Sequence, residues 1–259
     1  MSDTIKLEII DGVGKITLYR PEVFNSFNQE MSLAAQAALD QCAQNKSVRS
    51  IYLTGNGKAF CAGQDLAEAI DPNGPDIKRI VEEHYNPLIK RLRTIEKPIV
   101  CAVNGVAAGA GANVALAADI VVAKKSAVFV QAFSSIGLIP DSGGTFILPR
   151  LIGWQKASAF MMLADKIDGD EAERVGMIYK CFGDEEFDEA SWKIALKLGR
   201  LPTKGIGLTK RLLNMSYHND LDSQLNAEGD VQVEAAATYD FKEGVQAFLE
   251  KRKPNFKGE

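Results

Sequence analysis

Apolar and polar residues alternate with a period of two over residues 4–10 and again over 14–20, and the Asp11-Gly12 pair between them predicts a β-hairpin that Pro21 ends. The period then changes. Met31, Ala34, Ala35, Ala38, Leu39 and Cys42 recur at helical spacing behind Asn28, a residue type that favours the cap position. Residues 48–54 form a short β-branched run, read as a strand. An amphipathic stretch over 77–95 predicts a long helix, which Pro87 should kink or divide. The apolar run 98–103 predicts a strand, 104–118 is rich in Gly and Ala, and 119–123 reads as a buried strand. Alternation of strands with helices gives an α/β chain with parallel strands. After Arg150 the pattern is helical at 154–163, 170–175, 187–198, 205–215 and 221–253. No Pro/Gly/Ser-rich linker sets this helical third apart, so it is expected to dock on the core or to reach a neighbouring subunit.

Charge narrows the functions. The 259 residues carry 30 Lys and Arg against 34 Asp and Glu, a net charge of −4 with no basic stripe, so nucleic acid is not the expected partner. Residues 1–11 hold three acidic side chains and no apolar signal core, and no run of about 18 uncharged apolar residues follows, so a soluble, cytoplasmic protein without membrane contact is expected. The four cysteines form no CxxC and the histidines are only His84 and His218, so no metal site is expected and the thiols are read as buried and free.

Three glycine-rich stretches, 60–66, 104–113 and 137–145, could carry chemistry. The first two each follow a predicted strand and the second opens a helix, where glycine permits close backbone approach and N–H groups face an anionic oxygen. A dinucleotide fold begins in the same way, but its third glycine would fall at Val114, and the strand near Ala123 runs into Lys124-Lys125 where a ribose-binding acid is needed. There is no GKS/T phosphate loop and no G-x-S-x-G elbow. A purely structural reading, in which the glycines only allow tight helix-to-sheet packing, stays open.

Arg20-Pro21 with Asn25, the run Lys58-Ala59-Phe60-Cys61-Ala62-Gly63-Gln64-Asp65-Leu66, Ala102-Val103-Asn104-Gly105 with Gly109 and Gly111, Ala118-Asp119-Ile120, and Gly143-Gly144-Thr145 resemble the crotonase (enoyl-CoA hydratase/isomerase) superfamily in order and spacing over nearly the whole chain. Residues 136–145 and 251–256 look like its branch that rearranges ring-1,2-epoxyphenylacetyl-CoA to the seven-membered oxepin in phenylacetate breakdown. The resemblance implies a spiral of ββα turns over 1–200 that binds an acyl-CoA thioester, with a helical region over 201–259 for trimerisation and active-site cover. It implies a homotrimer or a dimer of trimers, and no cofactor apart from the CoA of the substrate. It also places an oxyanion hole on the backbone N–H groups of Ala62 and Ala110, with Ala62, Gly63, Gln64, Asp65 and Leu66 against CoA. Gly109, Asn113, Phe133 and Leu138 are expected at the substrate.

Family hydratases carry two glutamates, and the resemblance maps these to Asn113 and Phe133, neither of which transfers protons. Asp141 stands where isomerases of the superfamily carry an acid. One carboxylate suffices to move a proton from carbon to carbon, so an isomerase is expected and a simple hydratase is not. Asp141 could also cap a helix starting near Ser142. A fatty 3-enoyl-CoA isomerase would use the same parts, and a non-catalytic acyl-CoA-binding protein would need only the CoA loop. Asp65 is read as ordering its loop or binding CoA, Cys61 as lacking a partner that would activate it, His84 as packed, exposed or lining the acyl pocket, and His218 as solvated. Asn113 either orients a substrate oxygen or satisfies backbone. Phe256 and Lys257 either reach CoA in a neighbouring subunit or end in disorder.

Overall fold

The computed structural model describes residues 3–259; Met1 and Ser2, the start of the acidic N-terminal stretch, lie outside them. The hairpin forms from β1 (Ile5–Ile10) and β2 (Val13–Leu18), paired antiparallel. Asp11 (φ 51°) and Gly12 (φ 80°) make the tight turn, both in the left-handed region that a two-residue hairpin loop needs. Asn28 caps α1 (Gln29–Gln44) by accepting the Met31 N–H at 2.9 Å, and Met31, Ala35, Ala38, Leu39 and Cys42 are buried on one face.

Next comes β3 (Ser50–Gly55), β4 (Ala59–Cys61) and α2 (Leu66–Ala69), then α3 (Ile77–Arg79), a π-helical turn (Ile80–Tyr85) and α4 (Asn86–Thr94). The same order of two strands and a helix returns in β5 (Ile99–Val103), β6 (Val106–Ala108) and α5 (Ala110–Leu116), and again in β7 (Ile120–Lys124), β8 (Val128–Val130) and α6 (Gly144–Ile152). The remainder is α7 (Trp154–Leu163), β9 (Ile167–Asp168), α8 (Gly169–Arg174), β10 (Lys180–Phe182), α9 (Phe187–Gly199), α10 (Thr203–Met215), α11 (Leu221–Ala236) and α12 (Tyr239–Leu249). The first strand of each unit enters a sheet of order β1-β2-β3-β5-β7-β10, and the second enters a sheet of order β4-β6-β8-β9. The chain is an α/β spiral of ββα turns followed by a mainly helical C-terminal region.

The continuous apolar runs follow from burial of the large sheet on both faces. Ile51, Leu53, Ile99, Cys101, Val103 and Val121 face the main core. Their neighbours Tyr52, Val100, Ala102 and Val122 face a second cluster with Phe187 and Ala195 of α9.

Pro87 divides the long helix. A proline has no N–H for the Glu83 carbonyl one turn earlier, and the turn before it is π-helical, with Asn86 N–H donating to Val81 O. Gln36 of α1 donates from Nε2 to the Glu83 and His84 carbonyls at 2.9 and 3.1 Å, replacing what the helix lacks.

Two expectations are corrected. The 221–253 run is broken at Thr238, whose hydroxyl accepts the Phe241 N–H and starts α12. The helix expected near Ser142 begins at Gly144 with no side-chain cap, so the Asp141 carboxylate is not a capping group. The tail packs back on the same chain: the N–H groups of Lys257 and Gly258 donate to Asp240 at 2.6 and 2.7 Å, and Arg49 donates to Phe256 O at 3.2 Å.

Candidate active site

The loop after β4, the start of α5, the π turn and the segment before α6 close around a cavity of about 180 Å³. Ala62, Gly63, Gln64, Leu66, Gly109, Ala110, Phe133, Leu138 and Asp141 all line it, so most residues singled out in the sequence meet there. Ala69, Ile77, Ile80, Val81, Tyr85, Ala132 and Ile136 complete the wall. The wall is apolar apart from the Gln64 amide, the Tyr85 phenol, the Asp141 carboxyl and the backbone.

Backbone direction decides which N–H groups serve a ligand. Ala62 N–H donates to Phe24 O at 3.0 Å, which corrects the assignment of Ala62 as an oxyanion donor: its hydrogen bond is spent inside the protein. The neighbouring peptide differs. Gly63 O accepts from Phe27 N–H at 2.7 Å, and in a trans peptide the N–H opposes the C=O, so the Gln64 N–H points away from Phe27. Likewise Gly109 O accepts from Asn113 N–H at 3.2 Å along α5, so the Ala110 N–H leaves the helix at its N-terminus. Among the described residues neither the Gln64 nor the Ala110 N–H has a protein acceptor. The two meet because Gly63 (φ 97°) has no side chain: a Cβ there would lie 2.9 Å from Ala108 O and 3.6 Å from Ala110 N. Gly111 likewise seats α5 against Cys61, whose carbonyl a Cβ would strike.

Asp141 brings the only carboxyl group among the lining residues. Burial raises its pKa above the ordinary carboxylate value, and the Ser142 hydroxyl, donating to Oδ1 at 2.9 Å, partly opposes this. Its carbonyl accepts from Gly144 N–H at 2.8 Å across a turn in which Ser142 (φ 51°) and Gly143 (φ 73°) are both left-handed. A left-handed serine is uncommon and marks a turn held by its surroundings.

For two residues read with alternative roles, Asn113 and Asp65, the structure shows bonds to the protein itself. Asn113 is buried outside the cavity lining; its Nδ2 donates to Asp141 O and its Oδ1 accepts from Gln131 Nε2, each at 2.9 Å, so it satisfies protein groups. Asp65 accepts from Arg20 at 3.0 Å and from Ala67 N–H at 3.1 Å, which orders the loop. His84 is buried with neither ring nitrogen hydrogen-bonded, and burial lowers its pKa. Cys61 is buried and its pKa is pushed up to about 12, so it is a poor nucleophile. Tyr85 was not anticipated; only the apolar spacing of 77–85 pointed toward that wall. Among the described residues no group of three or more His, Cys, Asp or Glu is placed to hold a metal, and no helix is long and apolar enough to cross a membrane.

Residues 8–259 match the sequence profile of the enoyl-CoA hydratase/isomerase family, and the chain belongs to that family. A solved structure of enoyl-CoA hydratase from Bacillus anthracis superposes with a TM-score of 0.91 at 30% identity, covering 99% of this chain and 100% of that one. The chain is 46% identical over 261 residues to 1,2-epoxyphenylacetyl-CoA isomerase of Escherichia coli, covering 100% of both. It is also 34% identical to trans-2-decenoyl-[acyl-carrier-protein] isomerase of Streptococcus mutans, covering 98% of each.

Proposed function

We propose that the protein isomerises an acyl-CoA thioester, with Asp141 carrying the proton and the N–H groups of Gln64 and Ala110 holding the thioester oxygen. Removing a proton from the carbon beside a thioester places negative charge on that oxygen, and fixed donors in an apolar cavity stabilise it before it forms. Asp141 takes the proton and returns it to another carbon. The observation that carries the reading is the single carboxyl in a wall whose only other polar side chains are Gln64 and Tyr85, with Asn113 and Phe133 where water addition would need a second proton carrier.

The substrate we assign is ring-1,2-epoxyphenylacetyl-CoA, rearranged to the oxepin. The name of the relative at 46% identity supports this choice, as does the apolar wall of Ile77, Ile80, Val81 and Phe133. The reaction so written uses CoA as part of the substrate and needs no separate cofactor. We further propose a cytoplasmic homotrimer or dimer of trimers, joined through exposed apolar side chains of the C-terminal helices such as Leu225, Val233, Val245 and Phe248.

The test is a panel of ring-epoxide, 3-enoyl and 2-enoyl CoA esters given to the purified protein. Turnover of the ring epoxide well above the others is expected. Preference for the 3-enoyl ester would reassign the substrate to the fatty series, and turnover of none would overturn the enzymatic reading in favour of an acyl-CoA-binding protein.

A further inference from the structure

We propose that Tyr85 is a positioning residue that holds the Gln64 N–H on the thioester oxygen; the inference rests on the oxyanion role proposed above for that N–H. The direction of the Gln64 N–H depends on the torsions that flank the peptide joining it to Gly63. Gly63 has no side chain and a φ of 97°, so it does little to restrict that peptide. The restraint has to come from outside the loop.

Two contacts supply it, and Tyr85 touches both. The Tyr85 hydroxyl donates to Gln64 Oε1 at 2.9 Å. The other end of the same amide donates from Nε2 to Glu68 Oε2 at 3.0 Å, and Glu68 Oε1 accepts the Gln29 N–H at 2.9 Å, so the Gln64 side chain is held at both ends. The backbone contact is the bridge to Phe27, which donates to Gly63 O at 2.7 Å and accepts from Asp65 N–H at 2.8 Å. The Tyr85 ring meets the Phe27 ring edge to face, with centroids 6.0 Å apart and planes at 77°. Tyr85 is itself fully buried, in the π-helical turn ahead of Pro87. Its hydroxyl therefore fixes the side chain of Gln64 while its ring backs the residue that fixes the Gln64 peptide.

The test is steady-state kinetics of Tyr85→Phe, Gln64→Leu and the double variant, with thermal melts alongside. Tyr85→Phe keeps the ring on Phe27 and removes only the hydroxyl. Its kcat is expected to fall about tenfold, less than the 10²- to 10³-fold typical when an oxyanion donor itself is lost. KM should stay within about twofold, because the peptide is misdirected while the apolar wall is unchanged. Gln64→Leu also gives up the Glu68 contact, so its kcat should fall at least as far, and the double variant should be no worse than Gln64→Leu alone, since the Tyr85 hydroxyl has no partner left to lose there. Undiminished kcat in Tyr85→Phe, or losses that multiply in the double variant, would overturn the positioning role. Should Tyr85→Phe not fold, Gln64→Leu reads the same contact from its partly exposed end by the same split of kcat from KM. A parent protein inactive on the whole panel would instead overturn the functional reading, and this inference with it.

Discussion

Asn113 holds Asp141 by its main chain: the Asn113 Nδ2 amide donates to the Asp141 carbonyl oxygen at 2.9 Å, and the carboxyl group takes no part in the contact. The fold thus fixes where Asp141 stands through its main chain rather than its side chain. The Ser142 hydroxyl donates to the carboxyl at 2.9 Å. The residue stands in the wall of the cavity.

Asp141→Asn should abolish isomerisation, with kcat falling about 10³-fold or more if it is the sole proton carrier. The fold should survive, because the amide oxygen still accepts from Ser142. The melting temperature at neutral pH should be equal or higher. Burial raises the Asp141 pKa, so the charged form is disfavoured in the native state. The native protein then holds more protons than the unfolded chain between the two pKa values, and stability rises as pH falls through that window. The amide removes this cost. Near-native turnover by the variant would refute the assignment.

The pH dependence of kcat/KM should show an acid limb with its midpoint above the ordinary carboxylate value, because the working form is the carboxylate and burial raises its pKa. Activity is lost as pH drops through that midpoint. A midpoint at or below the usual value would mean that a different, better solvated acid controls the rate.

Asn113→Ala should lower the free energy of unfolding by about 1–3 kcal/mol, since it strands buried hydrogen-bonding groups. Gln131 Nε2 loses its acceptor and Asp141 O its side-chain donor. kcat should fall with it as the Asp141 turn loosens. Denaturant melts and kinetics on the same samples check both; a variant as stable and active as its parent would show that the turn holds itself.

Hydration of a 2-enoyl-CoA should be slow or absent, while the substrate's acyl proton exchanges with deuterated solvent. A lone carboxyl shuttles a proton between carbons but is poorly placed both to activate water and to protonate the far carbon. Mass spectrometry of recovered thioester separates the two: deuterium without added water is expected, and brisk hydration would mean that a second acid operates.

The elements were readable wherever local chemistry dictates them. Asn28, Asp11-Gly12 and Pro87 each act on residues within one turn, and the structure follows all three. The glycine-rich loops marked the cavity because close approach leaves a compositional trace. The orientation of a peptide unit leaves none. Ala62 and Gln64 sit two positions apart in one motif, and the Phe24 and Phe27 partners that spend one N–H and free the other come from a separate segment. Asn113 was ambiguous for the same reason, as its partners Gln131 and Asp141 lie far along the chain. Tyr85 reaches the cavity through a π-helical turn, which shifts side chains off the regular 3.6-residue spacing.

That interrupted helix ties the breadth of the binding chamber to a residue outside it. Ile80, Val81 and Tyr85 form one side of the cavity, and the carbonyls behind them are carried by Gln36 on a different helix. A change at position 36 would let that side relax outward or draw in, and the Tyr85 hydroxyl would carry the shift to Gln64. The width of the chamber and the aim of the Gln64 peptide are thereby set together, from a helix that touches neither.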